Sequence, residues 1–128
     1  MDEKPPAVTE DTTELTADYA NNTFFESTVW DLKILFGEFS VRNNSIDWHT
    51  SVTLPWAQAK LTAYYLLMNV AFHEISQGPI HLPQPVLPPA PPELTDETRT
   101  LPNAQALHDF AVALYRKFMD GLGKPPSV

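Results

Sequence analysis

With 128 residues, 43% of them hydrophobic, the sequence fits one domain with a modest core. Sixteen acidic against eight basic residues give a formal charge of −8, which excludes a surface built to neutralise a nucleic-acid backbone. The absence of cysteine excludes disulfides and thiolate zinc sites, and no unbroken apolar run reaches the ~20 residues of a membrane span.

Residues 1–16 read as a disordered acidic tail: the first twenty positions hold six acids and one base. That start carries no apolar signal segment, so a cytoplasmic location is expected. A core over 17–79 follows. From Phe24 to Phe36 the even positions are Phe, Glu, Thr, Trp, Leu, Ile and Phe, an alternation that predicts one long strand bending near Trp30-Asp31. At Gly37 the apolar phase slips to Phe39 and Val41, which predicts a β-bulge or a left-handed glycine.

Arg42-Asn43-Asn44-Ser45 is a turn whose asparagines tolerate left-handed backbone. In the next strand Ile46, Trp48, Thr50, Val52 and Leu54 are expected on one face, with Asp47, His49, Ser51 and Thr53 on the other.

Pro55–Gln77 predicts a long helix: Pro55 suits the first turn, and Gly78-Pro79 stops it. At 100° per residue Ala57, Leu61, Tyr64, Tyr65, Met68, Phe72 and Ile75 share one side. Ala59, Ala63, Leu66, Leu67 and Val70 share another. Gln58, Thr62, Asn69, His73 and Ser76 are left as one narrow polar stripe, so burial on two sides is expected.

Residues 80–94 form a proline-rich strap: Pro79–Pro92 holds seven of the chain's thirteen prolines, which favours extended polyproline geometry. A C-terminal helix is expected within 95–123, best defined from Asn103 to Leu122. Leu107, Phe110, Ala111, Leu114, Phe118 and Leu122 form its apolar stripe, packing on the core or on a partner subunit. The class is therefore α+β: an antiparallel meander of long strands, one long central helix, a strap and an amphipathic helix.

Candidate chemistry is sparse. His73-Glu74 lacks the second histidine of a zinc-protease helix, and neighbours in a helix diverge by about 100°. Asp47, His49 and Ser51 on one strand face, and the Asn69/His73 stripe, are the candidates for a small-ligand carrier or enzyme, without a nucleophile elbow in sight. No catalytic residue, cofactor or metal ligand is assigned. The leading expectation is a non-enzymatic homo-oligomer, a dimer or larger even assembly, with Leu66, Leu67, Met68 and Phe72 at its interface.

Tyr19-Ala20-Asn21-Asn22, Val29-Trp30-Asp31, Phe36-Gly37, Leu54-Pro55-Trp56, Ala59-Lys60, Asn69-Val70, Glu74 and Gly78-Pro79-Ile80 together resemble the bacterial domain-of-unknown-function family 3467, over roughly Asp18 to Pro89. That resemblance implies a small bacterial protein and carries over no site residue. The order of meander then long helix also resembles in layout the SecB-type export chaperones, which are acidic oligomers, and so implies a holdase for apolar segments as the alternative function.

Overall fold

The computed structural model describes residue 15 and residues 17–127; the expected acidic tail otherwise lies outside the described residues. The architecture is α+β: three antiparallel strands in sequence order, then two helices. The strands are β1 (Asn22–Ser27), β2 (Asp31–Ser40) and β3 (Ser45–Pro55), and the helices are α1 (Trp56–Gln77) and α2 (Ala104–Gly121). Contacts gather the chain into two compact units, Met1–Leu61 and Thr62–Val128, with the division falling inside α1.

The stretch read as one bent strand is a hairpin. β1 and β2 pair antiparallel, Phe25 opposite Ile34 and Glu26 opposite Lys33. The turn at 28–30 has no glycine or proline; the Thr28 side chain builds it. Its Oγ1 accepts from the backbone N–H of Trp30 and of Asp31, each at 3.1 Å, and donates to Asp31 Oδ1 at 3.0 Å. A threonine hydroxyl closing its own turn in this way substitutes for the residues that tolerate positive φ. Three turn residues, an odd number, also invert the facing. Phe25 therefore joins Ile34 and Val52 across the sheet, while Phe24 falls on the opposite side with Leu35.

The second correction lies in β3. Phe36 pairs with Thr50 but Gly37 pairs with Trp48, so His49 is the extra residue of a bulge. The even positions of β3 are thereby divided: Thr50, Val52 and Leu54 stand on one face, Ile46 and Trp48 on the other, where Trp48 meets Phe24 at a ring-centroid distance of 6.4 Å.

Gly37 is required here by space and not by backbone angle. The positive-φ glycines among the described residues are Gly78 and Gly123. A Cβ on Gly37 would sit 2.7 Å from Trp48 Cε3 and 2.8 Å from the Asp47 carbonyl oxygen. The phase slip marked the bulge; the glycine faces it from the neighbouring strand.

The turn at 41–44 closes with Asn44 at φ 47°, the left-handed conformation expected of an asparagine there. β3 then runs into α1 without a loop. Pro55 ends the strand and Trp56 opens the helix, its indole Nε1 donating to the Thr28 carbonyl at 3.0 Å. The first helical turn is thus tied to the β1–β2 turn. At the other end Gly78 (φ 96°) donates its N–H to the Glu74 carbonyl, and the Glu74 carboxylate accepts the Ile80 N–H at 3.0 Å.

In the second unit the proline-rich segment and α2 lie together. Pro79–Leu82 approaches Leu122 and Gly123, and Pro91–Leu94 approaches Ala104–Ala111, so the strap runs antiparallel to the helix. One short 3₁₀ turn, Gln84–Val86, interrupts it.

Candidate interaction surface

The expected two-sided burial of α1 is not met within the chain. Of its 22 residues only Ala59 is buried. Leu61, Tyr64, Tyr65, Phe72 and Ile75 on one side are exposed, as are Leu66, Leu67 and Val70 on the other. Of the four residues expected at an interface, Leu66 is 60% accessible, Leu67 72% and Phe72 59%, while Met68 is half-buried. At 100° per residue Met68 and Phe72 share a side, and Leu66 and Leu67 lie on the other flank, so they belong to two surfaces. Exposed leucines are ordinary when single; several large apolar side chains exposed together on each side of one helix make α1 the candidate interaction surface.

α2 departs from its expected packing in an instructive way. The stripe of Leu107, Phe110, Leu114 and Phe118 is exposed, while Ala104, His108, Ala111, Val112, Tyr115 and Met119 are half-buried. These two sets are adjacent on the helical wheel and together make an apolar arc of about 200°. The strap lies against the half-buried side, where Pro91, Leu94, Leu101 and His108 line an open apolar cleft of about 250 Å³. His108 Nδ1 has no hydrogen-bond partner there, since Asp109 Oδ1 lies 3.7 Å away and accepts from Gln105 Nε2 at 2.8 Å.

The constellation Asp47, His49 and Ser51 is taken apart by the bulge. Asp47 pairs with Glu38 and Ser51 with Leu35, positions on opposite faces of β2. Both nitrogens of His49 are engaged: Nε2 donates to the Tyr19 carbonyl at 2.9 Å, and Nδ1 lies 2.7 Å from Thr50 Oγ1, a hydroxyl that is 3.3 Å from Asp18 Oδ2. His49 fastens the entering chain to the sheet and leaves no free base. Asn69 donates back to the Tyr65 carbonyl one turn earlier, and His73 is exposed. No group of three metal-ligating side chains occurs among the described residues, nor does any helix long and apolar enough to cross a membrane.

What sequence reasoning missed is the polar work of Thr28, His49 and Asn21, the last accepting the Phe39 N–H at 2.9 Å. None has a periodic signal; each acts through a contact fixed by the turn or the bulge. Against known proteins, no family model, no curated protein and no solved structure matches this chain.

Proposed function

We propose that this chain is a self-associating protein-interaction module that works as an assembly and performs no covalent chemistry itself. The observation that carries the reading is α1, apolar over most of its circumference and exposed on both flanks. Burying one such side chain contributes about 1.5–3 kcal/mol, so several together favour association strongly over exposure. An isologous arrangement uses the same helix twice, so one exposed apolar surface covers its own copy. Light scattering coupled to size exclusion at low micromolar concentration should give a dimer or a larger even multiple of 14.4 kDa. Leu67→Glu should dissociate or unfold it, whereas Asn69→Glu, on the polar stripe, should leave the mass unchanged. A wild-type monomer would overturn the reading.

The exposed stripe of α2 favours a second reading, a holdase. Leu107, Phe110, Leu114 and Phe118 offer an exposed apolar stripe on a helix other than α1, and an excess of acidic charge favours solubility of a protein that carries such a stripe. It predicts suppressed aggregation of an unrelated unfolded protein, lost in Phe110→Ser/Leu114→Ser. Equal aggregation with and without the chain would exclude it.

A further inference from the structure

We infer that a second copy of this chain docks along one particular seam of α1, antiparallel, with Leu67 on the two-fold axis and Lys60 of each copy facing Glu74 of the other. The inference rests on the self-association proposed above and adds its register and direction.

The broad side of α1, with Leu61, Tyr65, Met68, Phe72 and Ile75, carries no charge and nothing that fixes a register. A narrower seam does. Lys60, Ala63, Leu67, Ala71 and Glu74 follow one another at spacings of three, four, four and three, which keeps them within about 80° of one face. The order reads alike from both ends except that the charge changes sign. Lys60 and Glu74 are the only formally charged residues of the helix, and they sit at equal distances on either side of Leu67.

A two-fold axis through Leu67 places Ala63 opposite Ala71 of the second copy and Lys60 opposite Glu74, each pair occurring twice. The small alanines flanking Leu67 permit the 8–10 Å approach of two packed helices. A parallel pair would set Lys60 against Lys60 and Glu74 against Glu74, and is disfavoured by like-charge repulsion.

Both charged groups are available. Lys60 is exposed and makes no ion pair among the described residues. Glu74 uses Oε2 to accept the Ile80 N–H, which leaves its other oxygen to a partner and holds the carboxylate in place. The exposed side chain at the centre, Leu67, is the most accessible large apolar residue of the helix. An unrelated helix could cover the same leucine, but it has no reason to reproduce a palindrome of size with inverted charge.

Fourteen residues of helix separate Lys60 from Glu74 by about 21 Å, more than two Debye lengths at physiological salt. Any coupling between them must therefore act between copies. Lys60→Glu alone should raise the dissociation constant of the full-length protein by about tenfold at low salt, and Lys60→Glu/Glu74→Lys should restore it to within about threefold. Because the chain has no cysteine, Leu67→Cys can be cross-linked without ambiguity. It should form a disulfide-linked dimer under mild oxidation, and Asn69→Cys should not. Cross-linking with charge-swap rescue establishes the seam. A stable oligomer with no cross-link at Leu67→Cys and no rescue overturns the seam while leaving self-association standing. A wild-type monomer overturns both.

Discussion

The sheet and the helix that leaves it solve the same problem differently. Between β1 and β3 every conformational choice has a local cause inside the chain: a threonine hydroxyl closes one turn, an asparagine at positive φ closes the other, and a glycine makes room for a bulge. α1 has firm ends, tied by Trp56 to Thr28 and by Glu74 to Ile80, but its flanks are bare. The difference teaches that the sheet's geometry is written in steric and hydrogen-bonding detail, and that the helix is written as surface. Disturbing the former should alter stability at any protein concentration. Disturbing the latter should act through association, and its effect should depend on concentration.

The largest effect expected inside the sheet is at Gly37. Gly37→Val forces the Trp48 ring and the Asp47 carbonyl apart and should cost about 3 kcal/mol, read as a fall in the urea midpoint that is the same at 2 and 50 micromolar protein, both roughly chosen to span association. A concentration-dependent loss would break the comparison by tying the bulge to assembly. Next comes Thr28→Ala, which removes the acceptor of two backbone N–H groups and the donor to Asp31; about 1–2 kcal/mol should be lost, again independent of concentration.

The smallest effect sharpens the contrast within α2. Met119→Ala, on the half-buried side, should cost about 1 kcal/mol, and Phe110→Ala, which is 69% accessible, less than about 0.5 kcal/mol. A larger cost at Phe110 in thermal melts would reveal a partner on the open stripe.

Much of the fold was legible from residue order. The α+β class, the helix stop at Gly78, the left-handed asparagine and the disturbance beside Gly37 each rest on a local rule that tertiary context left alone. The hairpin at Thr28 was not legible, because a hydroxyl-closed turn looks like any polar residue inside an alternating run. The facing of Phe24, Phe25, Ile46 and Trp48 was lost with it, since each odd insertion, the three-residue turn and then His49, inverts everything beyond it. In α2 periodicity located the apolar arc but could not say which half the strap would take, because an extended proline segment carries no period of its own. The imagined Asp47-His49-Ser51 site failed for the same reason as the strand facing: one bulge separates its members.

That bulge also bears on how the protein avoids its neighbours in a crowded solution. β3 is an eleven-residue strand at the margin of the sheet, and such a margin is a template on which stray chains can polymerise. A bulge breaks the even row of outward amides and adds local twist, so a foreign strand cannot stay in step beyond a few residues. On its inner side β3 is held in register by β2, because Gly37 lies opposite Trp48, where a Cβ would stand 2.7 Å from the Trp48 ring. The margin is thereby made a poor seed for fibrils.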